Sequence, residues 1–454
     1  MTEPDIRQRT DRSLYRRFRH LQGFISDPLQ SMVDASNQGG DLFFHELVGN
    51  VRLVQLSHPE LIEQVLKGKS VDVGRDWVMR SIRDALGLGL LTSEGEQWTR
   101  HRKMAAPHFQ PRSIAAYGED MVRLAHRYAD RITPGDRFIN EDMMALTLDV
   151  VLRTLFGPDL EVDKQVVADS LDIYQYEFFK DTNSWRRLIP KHWMTPGRYR
   201  RKDVVKNLDD VMYSVIAQRR AMGLGDDMLS NLIAATDDAG SGMDDKQLRD
   251  EAVTIFVAGH ETTALNLTYT LWLLAAHPEV VLKVRAELDE VCGNSDPTAA
   301  QTRKALPYTT AVVNESMRLL PPAYIVGREL TADAEIGGMH FPNKTHFICP
   351  QWVVQRDPRW FVDPMSFRPE RWLNGETDNL PKFAFFPFGG GARVCVGQHF
   401  AMMESILILA VLVRRLEVAR VPNYRLRFIP ALTLRPKEPV PLTVSAGSLG
   451  RRYG

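Results

Sequence analysis

The chain has 454 residues, of which 44% are hydrophobic and 25% charged, so it is long enough to bury a large core in one domain or two. Its 57 basic and 57 acidic side chains balance, which argues against a protein that binds nucleic acid. The three cysteines, Cys292, Cys349 and Cys395, are too few and too scattered for a disulfide framework and indicate a reducing compartment.

The first residues of the chain are polar and rich in arginine, with a cluster between Arg12 and Arg19. They contain no apolar run of the length that a signal peptide or a membrane span needs. We therefore interpret residues 1–26 as a solvated basic arm and residues 27–454 as a single domain. We expect a cytoplasmic protein without a transmembrane anchor. A patch that binds a membrane surface is the alternative interpretation of the arginine cluster.

Short strand and helix candidates share the first hundred residues. Residues 51–56 alternate and are rich in β-formers, which predicts a strand, and His58-Pro59 opens an amphipathic helix that runs to Lys67. From about Gly95 to Gly293 nearly every segment has a helical pattern. The sequence therefore predicts a mainly α fold.

The longest predicted helix spans residues 244–276 and is apolar on almost every side from Ala252 onwards, so it should cross the protein interior. Pro278 starts the next helix. Beyond Pro322 the pattern becomes irregular, and the predicted elements are a strand, a proline-rich meander and a hairpin, at 345–348, 358–372 and around 426–444. These elements add a small β-rich part to the mainly α fold.

A glycine-rich loop with one cysteine precedes an apolar helical stretch in the C-terminal third. The loop reads Phe388-Gly-Gly-Gly-Ala-Arg-Val-Cys395-Val-Gly397. A cysteine ahead of a helix N-terminus is stabilised as thiolate by backbone N–H groups and the helix dipole. Such a ligand suits haem iron, and glycines let a flat macrocycle approach the backbone. A structural cysteine under a turn is the alternative for this motif taken alone.

The spacing Phe-x-x-Gly-x-x-x-Cys-x-Gly resembles the haem-binding signature of the cytochrome P450 family, and every anchor of that signature is present. The resemblance covers about residues 27–445 and is to the soluble bacterial type. It implies the cytochrome P450 fold and a b-type haem, with Cys395 as the iron ligand and with Phe388 and Gly397 at the cofactor.

Inside the longest predicted helix, Ala258-Gly-His-Glu-Thr-Thr263 resembles the oxygen-activation motif of the same family. Glycine lowers helix stability and a threonine hydroxyl can bond the carbonyl one turn earlier, so we expect a kinked, hydrated stretch. The resemblance implies that Thr262 and Glu261 deliver protons and that His260 is not a metal ligand. A core threonine and a salt-bridged glutamate are the alternative.

A second set of charged residues resembles the buried Glu–Arg–Arg triad of the family. Glu315 and Arg318 are spaced for pairing on one helix face, and Arg371 belongs to the later motif Phe367-Arg-Pro-Glu-Arg-Trp372. The resemblance implies a structural network beneath the haem loop. Taken alone, the first two residues could equally form a surface pair.

Propionate groups of haem pair well with arginine, and four residues match the positions at which the family places such partners. Trp98 and Arg102 lie one helical turn apart, which puts them on one face. Arg328 follows a double proline, and Arg393 lies in the cysteine loop. Each arginine alone could be solvated, and their joint fit favours a role in haem binding.

The resemblance implies a haem-thiolate monooxygenase that inserts one atom of dioxygen into a hydrophobic organic substrate and releases the other as water. Electrons would come from NAD(P)H through a ferredoxin or flavodoxin and its reductase, since three cysteines cannot hold an iron–sulfur cluster. We expect a monomer. Two alternatives stay open: a peroxide-driven haem enzyme of the same fold, and a haem-binding sensor or carrier without turnover.

By analogy, the substrate pocket would include Ala258, Ile325 and Leu432. Its wall would come from residues 73–88, 174–179, 323–326 and 431–432, which are mainly apolar. These positions suggest a hydrophobic substrate, although they equally describe ordinary core.

A surface for the electron donor is predicted on the helix that carries Arg102. Arg100, His101 and Lys103 would form a basic patch there, with Gln398 and His399 nearby, and would attract an acidic ferredoxin. An ordinary solvated helix face is the alternative.

Overall fold

The computed structural model of the protein describes residue 23 and residues 26–46, 52–68, 71–160, 162–183, 193 and 195–447. Nearly all of the predicted basic arm at 1–26 lies outside the described residues. The helices are α1 (Pro28–Gly39), α2 (Pro59–Lys67), α3 (Trp77–Ser81), α4 (Arg83–Leu86), α5 (Gly95–Ala105), α6 (Pro111–Ile114), α7 (Gly118–Arg131), α8 (Ile139–Phe156), α9 (Lys164–Asn183), α10 (Pro196–Met222), α11 (Met228–Ala234), α12 (Asp245–Leu274), α13 (Pro278–Cys292), α14 (Pro307–Leu319), α15 (Gln351–Val354) and α16 (Gln398–Arg415).

The long interior helix predicted at 244–276 is confirmed as α12. It begins because the side chain of Asp244 accepts a hydrogen bond from the Gln247 N–H at 2.7 Å. It ends shortly before Pro278, which starts α13 as predicted. The predicted amphipathic helix after His58 is likewise confirmed as α2.

Helix α12 forms the centre of the molecule. It packs against α8, α10, α14 and α16, and α16 also packs against α7. Most of its side chains from Leu248 onwards are buried, in agreement with its nearly uniform apolar pattern. At the contact with α8, the rings of Phe156 and Phe256 stack with centroids 6.4 Å apart.

The strands form small sheets beside this helical body. They are β1 (Leu42–Glu46), β2 (Arg52–Leu56), β3 (Val73–Gly74), β4 (Gly135–Phe138), β5 (Val326–Leu330), β6 (Ala334–Ile336), β7 (Met339–Phe341), β8 (His346–Cys349), β9 (Leu416–Arg420), β10 (Phe428–Pro430), β11 (Leu434–Pro436) and β12 (Pro441–Ala446). One five-stranded sheet has the order β1-β2-β8-β5-β3, with β2 and β8 parallel. The strands predicted at 51–56 and 345–348 are β2 and β8.

The single hairpin predicted around 426–444 is wrong in part. Only β10 and β11 pair with each other, from Phe428 to Pro436, whereas β12 pairs with β4 on one side and β9 on the other. Pro436 and Pro439 lack backbone N–H groups and cannot continue a ladder. The chain therefore leaves the hairpin and joins a different sheet.

In the part of the chain that the structure describes, no helix combines the length and the apolar composition that crossing a bilayer requires.

Candidate active site

Cys395 lies in a tight loop directly before α16. Its backbone N–H donates to the carbonyl of Phe388 at 3.0 Å, and the Gly389 N–H donates to the carbonyl of Phe386 at 2.8 Å. These bonds fold the loop back on itself. Since α16 begins at Gln398, the predicted place of the cysteine ahead of a helix N-terminus is confirmed.

Two glycines of the loop are required by close contacts. A Cβ on Gly391 would lie 1.7 Å from the carbonyl oxygen of Leu66, and its φ is +71°. A Cβ on Gly390 would lie 2.2 Å from the ring of Phe383. The loop therefore packs against α2 and the Phe383 ring with no room for larger residues.

Protein atoms closely surround the thiol of Cys395, although the residue has accessible surface. Burial is the largest influence on this thiol and raises its pKa. The Gly397 backbone N–H, which bonds the sulfur, and the charge of Arg102 act in the opposite direction. The loop alone therefore stabilises the thiolate less than the sequence predicted, and a coordinated metal ion would complete the stabilisation.

One stripe of α12 is accessible although the helix crosses the interior. Ala258 is exposed and Thr262 is half-buried, whereas Phe256, His260 and Thr263 are buried. Ala258 and Thr262 lie one turn apart and share a face. This face of α12 is therefore accessible, as Cys395 is.

The hydroxyl of Thr262 donates to the carbonyl of Ala258 at 2.7 Å, as the sequence predicts. Helix α12 nevertheless continues without interruption through this motif, so the expected kink is absent. The hydroxyl adds a second donor to the carbonyl without replacing the helical bond. A Cβ on Gly259 would meet Val151 at an ordinary 3.6 Å, so close packing does not explain this glycine.

His260 binds the protein backbone, with its Nε2 atom 3.0 Å from the carbonyl of Met144. Burial lowers the pKa of its ring, which favours the neutral imidazole. It therefore acts as a neutral donor to α8.

Glu261 is 3% exposed and its carboxylate is held by three side chains. Thr433 donates to Oε1 at 2.9 Å, Gln175 donates to Oε2 at 2.8 Å, and Arg435 forms an ion pair with Oε1. Glu261 is thus the salt-bridged residue that the alternative interpretation anticipated. The pairing leaves its role in proton delivery a prediction.

Three arginines form a cation cluster, defined here as Arg75, Arg328 and Arg393. Burial and the charge of Arg328 lower the pKa of Arg393 to about 10. Burial, followed by the charges of Arg393 and Arg328, lowers the pKa of Arg75 well below its usual value. Among the described residues, no carboxylate forms an ion pair with any of the three. The cluster therefore suits an anionic ligand.

Of the predicted residues of α5, Trp98 borders this cluster and Arg102 lies near Cys395. The guanidinium carbon of Arg393 lies 4.4 Å from the centroid of the Trp98 ring, and the charges of Arg102 and Cys395 influence each other. A cleft of about 820 Å³, lined by Trp98, Arg328 and Arg393 among others, opens onto the cluster. Helix α5, the cysteine loop and β5 therefore meet at one place.

Arg75 is the member of the cation cluster that the sequence did not reveal. It is 6% exposed, and its Nη2 donates to the carbonyl of Leu90 at 3.1 Å. Its Nε has no hydrogen-bond partner in the described part of the chain. A lone arginine after the short strand β3 carries no motif, so only the tertiary contacts identify it.

The residues Glu315, Arg318 and Arg371 come together as the resemblance implies. Arg318 donates to both oxygens of Glu315, at 2.8 and 2.9 Å, and Arg371 Nε donates at 2.9 Å. All three are at most 1% exposed. Sequence reasoning missed Trp372, whose indole N–H also donates to Glu315 at 2.9 Å. The network joins α14 to the meander.

Of the predicted pocket residues, Ala258 is exposed, whereas Ile325 and Leu432 are half-buried and pack against core clusters. In the predicted wall, the hydroxyl of Tyr174 donates to Asp84 at 2.7 Å and joins α9 to α4. The side chain of Phe179 lies outside the described residues.

The predicted basic patch for an electron donor is wrong. His101 is fully buried and lies 2.7 Å from Glu251. Arg100 binds Asp237 at 2.6 Å and Lys103 binds Asp238 at 3.0 Å. The loop after α11 therefore neutralises this face of α5, because its two acids lie against the two cations.

The donor atoms of this site fit haem. Cys395 offers one sulfur from an accessible residue, and the cation cluster suits carboxylates. No group of three or more His, Cys, Asp or Glu side chains among the described residues is arranged to hold a metal ion. An iron at Cys395 would therefore take its other ligands from a macrocycle.

Comparisons with known proteins agree with this fit. The sequence model of the cytochrome P450 family matches residues 14–443. Cyclooctatin synthase of Streptomyces melanosporofaciens is 34% identical over 394 residues, covering 85% of this chain and 83% of that protein. Cyclooctat-9-en-7-ol 5-monooxygenase of the same organism is 34% identical over 421 residues, covering 91% and 88%. Cytokinin hydroxylase of Arabidopsis thaliana is 32% identical over 403 residues, covering 86% and 78%.

A crystal structure of the cytochrome P450DA heme domain shares the fold, with a TM-score of 0.83 and 24% identity, over 95% of this chain and 96% of that one. The chain therefore belongs to the cytochrome P450 family. It is an oxidoreductase of the monooxygenase class. The family implies haem, dioxygen and electrons from a reductant, and the predicted cytochrome P450 fold is confirmed.

Proposed function

We propose that this enzyme inserts one atom of dioxygen into a hydrophobic organic substrate, with electrons supplied by a separate protein. The observation that carries the proposal is the accessible surface of Cys395 together with the accessible stripe of α12 at Ala258 and Thr262, which would face one internal space. An iron ligand and a proton-donating hydroxyl at one space are the elements that such a reaction needs. We further propose that residues 27–454 act as one domain, in the cytoplasm and as a monomer.

Cys395 would bind the haem iron through its sulfur, and the cation cluster with Trp98 and Arg102 would hold the propionates. A haem with a thiolate ligand supplies the activation of dioxygen, because the thiolate donates electron density and favours cleavage of the O–O bond. Phe388 and Gly397 would shape the loop beside the sulfur. Glu315, Arg318 and Arg371 would keep the region under this loop folded, without contact with the reacting atoms.

Thr262 and Glu261 would move protons. The Thr262 hydroxyl borders the internal space and can exchange its bond with Ala258 for a bond to an oxygen-bearing guest. Glu261 follows on the next face of the helix. Its Oε1 already binds Thr433 and Arg435, whereas Oε2 accepts only from Gln175 and would have a lone pair for water. A proton could then pass from Glu261 through water to the Thr262 hydroxyl.

The substrate would be apolar and would lie along Ala258, Ile325 and Leu432. The proposal is supported by the apolar composition of these positions. It is also supported by the names of the relatives, which include a hydroxylase and a 5-monooxygenase of an alcohol. Cyclooctat-9-en-7-ol and a cytokinin are therefore suitable first probes.

The electrons would come from NAD(P)H through a ferredoxin or flavodoxin and its reductase. An iron–sulfur cluster with four thiolate ligands needs more cysteines than the three of this chain. Of these, Cys349 is buried, with its pKa raised to about 12 by burial. The structure gives the donor no basic docking patch on α5, so we propose no docking site.

A direct test is oxidation of a compound library by the purified protein with a surrogate ferredoxin, its reductase and NADPH. Library members are first ranked by displacement of the iron-bound water, seen as a spin-state shift. Product that depends on NADPH and dioxygen supports the proposal. Product with hydrogen peroxide alone would instead indicate a peroxygenase, and spectral binding without any product would indicate a sensor or carrier.

A further inference from the structure

Glu251 is a fully buried carboxylate in α12 whose two oxygens bind different elements. Its Oε1 lies 2.7 Å from Nδ1 of His101 in α5, and its Oε2 accepts the backbone N–H of Leu90 at 3.1 Å. A carboxylate oxygen accepts, so the proton at this contact is on Nδ1 of the imidazole. Both partners are needed, because the loss of either would leave part of a buried charge unsatisfied.

Leu90 continues this connection to the cation cluster. Its N–H is bound by Glu251, and its carbonyl accepts from Nη2 of Arg75 at 3.1 Å. The two bonds leave the peptide groups at Leu90 little freedom. A chain of contacts therefore runs from Glu251 through the backbone of Leu90 to the guanidinium of Arg75.

His101 provides a second connection. It lies on α5, the helix that also carries Trp98 and Arg102. The bond to Glu251 therefore fixes how α5 is rotated against α12, and with it the direction of both neighbouring side chains. Glu251 thus lies at the junction of two routes to the residues around the cluster.

The segment before Leu90 is independently held against α12. The Leu88 N–H donates to Oδ2 of Asp250 at 2.8 Å. A Cβ on Gly87 would lie 2.0 Å from Oδ1 of Asp250, and a Cβ on Gly89 would lie 2.3 Å from the hydroxyl of Thr254. Only glycines allow so close an approach, so the register of this segment on α12 is set.

We propose that Glu251 is a positioning residue for the cation cluster. Through Leu90 it aims Arg75, and through His101 it orients the helix of Trp98 and Arg102. The inference rests on the proposed function, in which the cluster holds the propionates of haem. Both oxygens of Glu251 are bound by protein groups, so Glu251 would act on the haem through Arg75 and α5 and not by direct contact.

The test is a double-mutant cycle on the rate of haem loss, measured by transfer of haem to apomyoglobin. The variants are Glu251→Gln, Arg75→Met and their combination. Each single change should speed haem loss roughly tenfold, the scale of one charge-assisted hydrogen bond. Because Glu251 acts partly through Arg75 and partly through His101, the double variant should lose haem faster than either single variant, but by less than the product of the two single increases.

Asp245→Asn is the matched control, since this acid of α12 is 58% exposed and pairs with Arg220. It should leave haem loss unchanged. If Glu251→Gln does not fold, Glu251→Asp replaces it in the cycle, because it shortens the side chain and keeps the charge. If the role of Glu251 were purely structural, Glu251→Gln would lower the melting temperature. The increase in the rate of haem loss in the double variant would then equal the product of the two single increases.

Multiplied rates, or no effect of Glu251 on haem loss, would overturn the inference while leaving the proposed function intact. A parent protein that binds no haem would instead overturn the proposed function. The two failures are therefore distinguishable in the same experiment.

Discussion

Glu261 in α12 and Arg435 in β11 form an ion pair that joins the centre of the active-site helix to the C-terminal hairpin. Arg435 also lies 3.6 Å from Asp172 of α9, and Gln175 of the same helix donates to Glu261. Three elements around the internal space therefore share one charged contact. Movement of α9 or of the hairpin would change the surroundings of Glu261.

Removal of the Arg435 guanidinium should destabilise the protein, because it leaves the buried carboxylate of Glu261 without a cation. Arg435→Leu strands Glu261, whose side chain is 4% exposed, without a cation. An unpaired buried charge costs roughly 3–5 kcal/mol. For Arg435→Leu the loss in free energy of unfolding should be about 3 kcal/mol or less. Arg435 is 24% exposed, so water can replace part of its charge.

The double variant Arg435→Leu with Glu261→Gln should recover much of this loss, because no buried charge remains. Unfolding in denaturant at neutral pH measures all three free energies. A double variant that is less stable than Arg435→Leu would contradict the buried-charge explanation.

Thr262→Ala should keep haem and substrate binding but divert reducing equivalents into peroxide, because the hydroxyl at the internal space is lost. Loss of a general acid typically costs on the order of 10² to 10⁴ in rate. The measurement is product formed per NADPH consumed. Thr268→Ala is the control, since Thr268 makes the same bond to the helix backbone at 2.7 Å but is fully buried. If both variants form the same amount of product per NADPH consumed, the Thr262 hydroxyl has no special role in proton delivery.

Gly391→Ala should be far more damaging than Gly240→Ala. Both glycines have a left-handed backbone, with φ of +71° and +78°, so both substitutions carry the same conformational cost. Only at Gly391 would the new Cβ lie 1.7 Å from the carbonyl oxygen of Leu66, whereas nothing lies within 4 Å at Gly240. Yield of haem-bound protein and melting temperature report the difference. Similar losses would show that the cysteine loop can move away from α2.

The parts of the fold that the sequence predicts well have local causes. Helix α12 follows from a capping Asp244, a long apolar run and a following Pro278. The contact between Glu315 and Arg318 follows from their spacing on one helix. The prediction of a basic patch on α5 is wrong because it relies on charge and neglects helical periodicity. His101 shares a face with the buried Met104 and Ala105, and this pattern could have revealed its burial.

Arg75 and the partners of Glu261 were not predictable in the same way. Arg75 is separated in sequence from Arg328 and Arg393, and its burial depends on where β3 and the segment after it pack. Thr433 and Arg435 reach Glu261 only because β10 and β11 fold back over α12 as a hairpin. No local pattern encodes these contacts, since they depend on the whole tertiary arrangement.

Glu404 of α16 should make stability depend on pH. It is 1% exposed, and burial raises its pKa well above the usual 4.5, opposed only by the Thr263 hydroxyl. A raised folded-state pKa contributes stability that is complete below the unfolded pKa and lost as pH rises through the folded value. The glutamine side chain of Glu404→Gln does not titrate. The free energy of unfolding of this variant should therefore increase relative to that of the parent as pH rises above 4.5.

Denaturant unfolding at a series of pH values checks this prediction. Glu290→Gln, at an exposed acid of α13, is the control for removal of a surface carboxylate. A difference between Glu404→Gln and the parent that stays constant with pH would contradict the raised pKa of Glu404.

We propose that Cys395 holds haem iron through its thiolate. The most direct measurement is the absorption spectrum of the reduced carbon-monoxide complex, for the parent and for Cys395→Ser at equal haem content. The parent should show the red-shifted band of a thiolate ligand, and Cys395→Ser should lose it. A parent without that band, or a Cys395→Ser variant that keeps it, would contradict the account.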